Sequence, residues 1–188
     1  MTKVFSVLIP LVVLFTSPAF AQLEVGASYE LRDEDPQSGF GLRVQKSFLD
    51  QLSMVNVGLQ AHFSFFSDQN DVSEAGISYS QDLTNYDFGI AVIGGVSVGL
   101  IEPYLGLGLG STTLDINRKD IIGAQVGLEP GDESESNVYW NGIVGAKVSI
   151  IPILKPFVEY RYSDTSLSGP ELSEATTGRI LFGVSLSF

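Results

Sequence analysis

The sequence predicts an all-β fold, a single up-and-down antiparallel barrel of eight strands. Three observations predict it. Apolar and polar residues alternate in one segment after another, which is the period of a strand with two different faces. Turn-forming residues separate these segments. After the first 21 residues no useful stretch has the period of a helix, and 188 residues suit one domain of the common size of about 100–200 residues.

Residues 1–21 have the features of a cleaved signal peptide. Lys3 supplies a positive start, an apolar run follows over residues 4–15, and Ala19-Phe20-Ala21 has the small-x-small cleavage pattern. The run is shorter than the about 20 apolar residues that a membrane-spanning helix needs. We therefore expect an exported protein with a signal peptide over residues 1–21 and a barrel domain over residues 22–188.

The first three strands alternate regularly. Apolar side chains occupy the odd positions of 23–31, the even positions of 40–48 except Lys46, and the odd positions of 55–65, with polar or small residues between most of them. Residues 33–38, which include Pro36, predict a turn between the first two strands.

The fourth segment, residues 77–98, changes its parity. Leu83 continues a set of apolar residues at odd positions, whereas the apolar residues from Tyr86 onward are at even positions. A slip of one residue turns every following side chain to the other face of a strand. We therefore predict a bulge or break near Thr84-Asn85.

The fifth strand alternates leucine and glycine over residues 105–110, after a turn at residues 99–102. Residues 115–137 have no clear period and carry six acidic residues, so we predict a long loop there. Alternation over residues 140–150, 157–163 and 179–188 completes the eight strands.

Composition excludes several classes of protein. The chain has 22 acidic and 10 basic residues, a formal net charge of −12, whereas phosphate binding needs a basic face, so we expect no nucleic-acid partner. The absence of cysteine excludes a disulfide scaffold, a thiolate metal site and a cysteine nucleophile. Charged residues make up 17% of the chain, against about 25% in typical soluble domains.

Alternating strands suit either a soluble, lipocalin-like barrel or a transmembrane barrel, and three features favour the transmembrane one. The polar faces are rich in glycine, serine, asparagine and glutamine, and their charges nearly balance, as an enclosed network of ion pairs requires. The charged residues that we assign to this lumen network are Glu24, Glu30, Arg32, Arg43, Asp87, Lys147, Glu159, Arg161 and Arg179. Aromatic residues lie near the ends of the apolar faces, as in the girdles of membrane barrels, and the excess acid lies in the connections.

Three motifs carry a resemblance to a known family. They are Glu-Pro-Tyr-Leu-Gly-Leu-Gly-Leu-Gly over residues 102–110, Phe-Val-Glu-Tyr-Arg-Tyr over residues 157–162, and the ending Gly-Val-Ser-Leu-Ser-Phe over residues 183–188. With them, residues 22–188 resemble the small outer-membrane β-barrels of Gram-negative bacteria, the OmpA/OmpX-like and opacity-protein group. The resemblance implies location in the cell outer membrane, lipid and lipopolysaccharide as surroundings, and Phe188 as a signal for the barrel-assembly machinery.

The leader and the resemblance together predict the topology. The breaks near Asp50, Leu100 and Pro152 are then periplasmic turns. Most of the acid lies in the segments that face outside, which are residues 33–38, 67–75, 115–137 and 164–176. If residues 77–83 are strand, the third and fourth strands project beyond the membrane and offer an edge for pairing.

We find no convincing catalytic or metal site. His62 with nearby Ser64 suggests a lipid-modifying enzyme, but no orienting carboxylate is identifiable from the sequence, so we expect no catalysis. Acidic residues near Asp68 lack the glycine and distant glutamate of an EF-hand, so we read them as a hydrated loop and expect no metal or cofactor. Glu159 and Arg161 project to one side, which suits a structural network better than an ion-selective constriction.

The sequence therefore predicts a barrel with a side-chain-filled polar lumen and a structural or surface-interaction, adhesin-like role, its surface ligand unknown. A narrow porin-like channel for ions or small solutes is the alternative, and an outer-membrane lipid-modifying enzyme is a further one.

Overall fold

The structure, a computed structural model, describes residues 23–48, 54–74, 77–122, 131–166 and 176–188. It contains eight strands. They are β1 (Leu23–Arg32), β2 (Ser38–Ser47), β3 (Val55–Glu74), β4 (Ile77–Val96), β5 (Ile101–Ile122), β6 (Gly131–Val148), β7 (Leu154–Asp164) and β8 (Thr176–Ser187). Each strand pairs antiparallel with the next, and β8 pairs with β1 to close the barrel. The predicted fold class is confirmed.

Side chains alternate between the interior and the outer surface, with the polarity opposite to that of a soluble protein. Leu107 is 68% exposed on the outside, whereas Arg161 is 1% exposed in the interior. The outward apolar run of β3 lasts from Val55 to Phe65. At about 3.4 Å per residue and a tilt of about 40°, this run covers about 26 Å along the barrel axis, which matches the apolar band of a membrane barrel. Among the described residues no helix is long and apolar enough to cross a membrane.

We call the end where β1 leads into β2 the loop end, and the end with both described termini the turn end. Aromatic side chains pair across neighbouring strands towards the loop end of the apolar band, as expected of an interfacial girdle. The pairs, with the distances between ring centroids, are Tyr29–Phe40 at 5.5 Å, Phe65–Tyr86 at 5.4 Å and Trp140–Tyr162 at 5.7 Å.

Four consecutive strands are much longer than the others. β3, β4, β5 and β6 have 20, 20, 22 and 18 residues, whereas β1, β2, β7 and β8 have 10, 10, 11 and 12. Pairing of β2 with β3 ends at Phe66, and pairing of β6 with β7 begins only at Trp140. A four-stranded sheet therefore continues past the rim of the barrel. We call its residues, 67–74, 77–84, 114–122 and 131–138, the sheet extension.

Two predicted loops are wrong in large part. β3 continues through the predicted loop 67–75 as far as Glu74, and within 115–137 β5 reaches Ile122 and β6 begins at Gly131. These stretches lack the apolar alternation of the membrane band because both sides of the sheet extension stand outside lipid. Backbone pairing within the extension, and not an apolar face, keeps them extended.

The predicted break near Thr84-Asn85 is also wrong. Thr84 pairs with Ser67 on one side and Asp115 on the other, so the ladders are continuous there. Leu83 keeps the parity of the interior side chains and is 7% exposed. The parity of the apolar residues changes because they face outwards, towards lipid, within the lipid band. Beyond the band they face the inner side of the sheet, which is sheltered from water. The irregularity lies further along, between Ser78 and Ser80 in the pairing with β5.

The short connections agree with the predicted turns. Gly99 has a φ of 64°, in the left-handed region that glycine adopts without strain, and it turns β4 into β5 beside Leu100. Pro152 lies in the turn between β6 and β7. At the loop end, Arg32 N–H donates to the carbonyl of Gln37 across the predicted turn at 2.9 Å. The predicted turn at Asp50 and the predicted signal peptide lie outside the described residues.

Candidate functional site

The barrel interior is filled by polar side chains. The structure places all nine residues assigned to the lumen network on the interior side: Glu24, Glu30, Arg43, Asp87, Lys147, Glu159, Arg161 and Arg179 are buried, and Arg32 is half-buried at the loop end. Their contacts form three layers along the axis.

The layer near the turn end is centred on Glu24. Its carboxylate accepts hydrogen bonds from Lys147 Nζ at 3.0 Å and from Lys155 Nζ at 2.6 Å. Lys147 Nζ also lies 3.2 Å from Glu102 Oε1. Two buried carboxylates thus share two buried ammonium groups, contributed by strands β1, β5, β6 and β7.

The middle layer is centred on Glu159. Its carboxylate accepts from Arg161 at 2.6 Å, from Arg43 at 3.2 Å and from the Tyr104 hydroxyl at 2.8 Å. The Arg43 guanidinium lies over the ring of Phe157, 3.3 Å from its centroid. Charge-assisted bonds of this kind are the strong ones among hydrogen bonds, and here they connect strands on opposite sides of the barrel.

The layer nearest the loop end is centred on Asp87. This carboxylate accepts from Arg179 Nη2 at 2.7 Å and from the Tyr139 hydroxyl at 2.8 Å. His62 Nε2 lies 3.3 Å from Asp87 and 3.1 Å from the Tyr139 hydroxyl. Nearby, Arg179 Nη1 lies 3.6 Å from Glu30.

The buried charges cancel. Among the described residues five buried carboxylates face five buried lysine or arginine side chains: Glu24, Glu30, Asp87, Glu102 and Glu159 against Arg43, Lys147, Lys155, Arg161 and Arg179. Removing ions from water costs several kcal/mol each unless partners compensate for it. The pairing explains how so narrow a barrel holds ten charges, and it leaves the middle of the interior occupied by side chains.

Sequence reasoning missed four members of these layers. Glu102 and Lys155 lie next to proline at the starts of β5 and β7, outside the alternating runs, although each has the parity of the interior residues that follow. Tyr104 and Tyr139 pair across the ladder with Gly145 and Gly110, where a Cβ atom would overlap the tyrosine rings. The glycines of β5 and β6 were the available signal, since close ring packing needs them.

The proposed enzyme site is not assembled as a catalytic pair. Asp87 does supply the carboxylate beside His62 that the sequence did not reveal. Ser64, however, donates its hydroxyl hydrogen bond to Glu30 at 3.0 Å, while His62 contacts Asp87 and Tyr139. A nucleophile and its base must be within hydrogen-bond reach of each other, so these two residues do not form such a pair.

The described residues contain no group of three or more histidine, aspartate or glutamate side chains that is placed to hold a metal ion. In the stretch that suggested calcium, Asp68 Oδ1 accepts from the backbone N–H of Gln69 at 2.8 Å. That contact is typical of a solvated polar segment.

The sheet extension is acidic. Its residues include nine aspartates and glutamates and two basic residues, so its formal charge is 2 − 9 = −7. On the outward side, Asp82 and Asp115 lie on adjacent strands and line a shallow cleft of about 490 Å³ with Glu133. On one side the extension is bounded by β3 beyond Phe66, whose outer edge pairs with no other strand among the described residues.

Comparisons with known proteins agree with this architecture. The family model described as outer membrane protein beta-barrel domain matches residues 7–188. A search of curated proteins gives no match.

Several solved structures share the fold. A major outer membrane protein from Thermus thermophilus is 13% identical, with a TM-score of 0.63 over 90% of this chain and 100% of that one. Neisserial surface protein A is 16% identical, with a TM-score of 0.59 over 89% and 97%. The attachment invasion locus protein Ail of Yersinia pestis, in complex with the heparin analogue sucrose octasulfate, is 15% identical, with a TM-score of 0.55 over 89% and 97%.

Proposed function

Since the chain belongs to the outer membrane protein beta-barrel domain family and lies in the cell outer membrane, as its sequence predicted, we propose that it is a closed surface protein whose sheet extension binds a partner outside the cell. The observation that carries this proposal is the length of β3 to β6, which extend past the barrel rim, whereas the described residues of the other four strands end at the rim.

The direction of the extension follows from the connections. Outer-membrane barrels have short turns on the periplasmic side and longer segments outside. Here the turns at Gly99-Leu100 and Pro152-Ile153 lie at the turn end, and the extension is at the opposite end. The extension therefore stands in the external medium, where it is available to a partner.

Two features of the extension favour recognition of a basic, extended segment. Among the described residues, no strand pairs with the edge of β3 beyond Phe66, and unpaired backbone groups on an edge are templates for an added strand. The formal charge of −7 attracts cationic partners and repels anionic ones. The structure of Ail contains a polysulfated ligand. We expect no such ligand on this extension, because its charge has the opposite sign from the one that a polysulfate needs.

The test compares the whole protein with a trimmed variant, both reconstituted in lipid vesicles. In the variant, Asn-Gly turns replace residues 69–82, between the paired Asp68 and Leu83, and residues 115–134, between the paired Leu114 and Glu135. The probe is a fluorescent decapeptide of alternating valine and lysine, with an alternating valine and glutamate peptide as its control. We expect the intact protein to bind the basic peptide at least about tenfold more tightly than the trimmed variant does.

Folding of the trimmed variant is checked separately by its mobility in unheated detergent gels. Equal binding of the basic peptide by the two folded proteins would show that the sheet extension is not the binding site and would contradict the proposal. Preferential binding of the acidic peptide by the intact protein would contradict the charge argument.

A further inference from the structure

A polar cavity of about 180 Å³ opens at the loop end of the barrel, above the layer that is centred on Asp87. Its floor includes Asp87, Tyr139 and Arg179, and its rim includes the exposed Glu34 and Glu135. It is smaller than the about 300–1,000 Å³ of sites for drug-sized ligands, so its size suits one small molecule.

Three side chains in the lining of this cavity have buried polar atoms without a hydrogen-bond partner within the described part of the protein. They are Ser163 (Oγ), Arg179 (Nε and Nη1) and Asn137 (Oδ1), on the neighbouring strands β7, β8 and β6. Ser163 is 5% exposed and Arg179 is 3% exposed. Buried polar groups are normally satisfied, because an unpaired one loses its hydrogen bonds to water without replacement. Donors on two side chains and one acceptor, all without partners, therefore converge on one wall.

The inner end of the cavity carries two arginines and one carboxylate, that of Asp87. Arg32 and Arg179, which pair across β1 and β8, both line it. Arg179 is paired with Asp87, whereas Arg32 donates to the amide oxygen of Asn85 at 2.9 Å and stacks on the ring of Phe66, 4.3 Å from its centroid. The partners in these contacts are neutral, so they fix the position of the Arg32 guanidinium without neutralising its charge.

The rim of the cavity is negative. Thr177 Oγ1 donates to Glu34 Oε2 at 2.8 Å, and Asn137 Nδ2 donates to Glu135 Oε1 at 3.0 Å. Both carboxylates are thus held at the opening by residues that also line the cavity. Asn137 contributes its free Oδ1, an acceptor, on the same side as Glu135.

We propose that this cavity binds a small zwitterion, a molecule of amino-acid size with a carboxylate at one end and an ammonium group at the other. The carboxylate accepts from Ser163 Oγ and from the guanidinium groups of Arg32 and Arg179. The ammonium group donates to Asn137 Oδ1 and faces the carboxylates of the rim.

Other small ligands match the lining less well. The acidic rim repels a simple anion, and the two arginines repel a simple cation. A neutral sugar satisfies the free donors and the free acceptor, but it offers no opposite charge to the inner arginines or to the carboxylates of the rim. Glu135 and Asn137 stand at the base of the sheet extension and are retained in the trimmed variant, so zwitterion binding and peptide binding are tested separately.

The test is isothermal titration of the whole protein, refolded in lipid nanodiscs. The probes are glycine, β-alanine, γ-aminobutyrate and 5-aminovalerate, which separate the two charges by increasing lengths, with acetate, methylammonium and glucose as single-feature controls. We expect at least one zwitterion to bind about tenfold or more tightly than any of the controls, since two charged ends contribute in place of one.

Two variants locate the binding. Ser163→Ala removes an unpaired hydroxyl and should weaken zwitterion binding several-fold, whereas the matched Ser111→Ala, on the exposed outer side of β5, should leave it unchanged. Arg32→Gln should weaken binding of the same zwitterion by about tenfold. Tighter binding of glucose, acetate or methylammonium would overturn the proposal, and so would the absence of binding by all four zwitterions to folded protein.

Discussion

At the scale of single residues, the interior depends on buried charges that share partners, and Glu159 is the clearest case. It is 1% exposed and receives hydrogen bonds from Arg43, Arg161 and Tyr104. Glu159→Gln leaves two buried guanidinium groups without their shared counter-charge. Breaking one side of a buried ion pair costs about 3–5 kcal/mol, so we expect the free energy of unfolding in lipid vesicles to fall by about that amount, measured by urea titration.

The matched control for this prediction is an exposed glutamate. Glu135→Gln neutralises a carboxylate at the rim and should change the free energy of unfolding by no more than about 0.5 kcal/mol. A similar, small effect for both variants would mean that the middle layer contributes little to stability.

Residue parity was enough to place nine charged side chains in the interior, but not to pair them. Glu24 contacts Lys147 across 123 positions of sequence, and Arg43 contacts Glu159 across 116. Such partners are set by the closure and stagger of the whole barrel, which a one-dimensional pattern does not contain. The same limit hid Asp87 as the neighbour of His62.

At the scale of the elements, the glycines of β5 and β6 divide into two kinds, and a pair of substitutions separates them. A Cβ at Gly145 would lie 2.5 Å from the Tyr104 ring and 2.8 Å from the Val158 carbonyl oxygen. Gly145→Ala should therefore lower the free energy of unfolding by about 1–3 kcal/mol, the usual cost of overpacking.

Gly142 is the control, because the nearest atom to a Cβ there belongs to Trp140 at 3.9 Å. Gly142→Ala should leave the free energy of unfolding unchanged or raise it by up to about 1 kcal/mol. Urea unfolding of both variants in vesicles checks the pair, and an equal loss of stability in both would show that strand glycines act here through backbone conformation and not through ring packing.

The accuracy of the strand predictions also varies by element, for a physical reason. β1 is predicted to its last residue because one of its faces meets the apolar surroundings and the other meets the polar interior. β3 to β6 are predicted only within the membrane band, because the apolar period disappears where the sheet extension enters water, as at Leu83 and in residues 115–122. The alternation of apolar and polar residues depends on what surrounds the two faces of a strand. A strand that is held only by backbone pairing has no such alternation in its sequence.

At the scale of the whole molecule, the filled interior and the protruding sheet concern two different roles, transport and surface interaction. All eight strands contribute a polar or charged side chain to the three layers, so no described side of the barrel interior is left without a contribution to the filling. The extension, in contrast, makes no contribution to closing the barrel. Transport and surface interaction are therefore testable apart from each other.

The filled interior predicts that the inserted protein does not conduct ions. An ion would have to pass the layers at Glu24, Glu159 and Asp87, where each charged group is already paired, and separating such pairs costs several kcal/mol. We expect no discrete openings in planar bilayers.

Insertion is verified by the fluorescence of Trp140, the single tryptophan of the chain, which lies in the aromatic girdle. Lipids brominated near the headgroup should quench this fluorescence more than lipids brominated at the chain ends. Reproducible openings from a barrel with that quenching pattern would favour the narrow channel, and a change of their conductance in Arg161→Ala would assign the path to the middle layer.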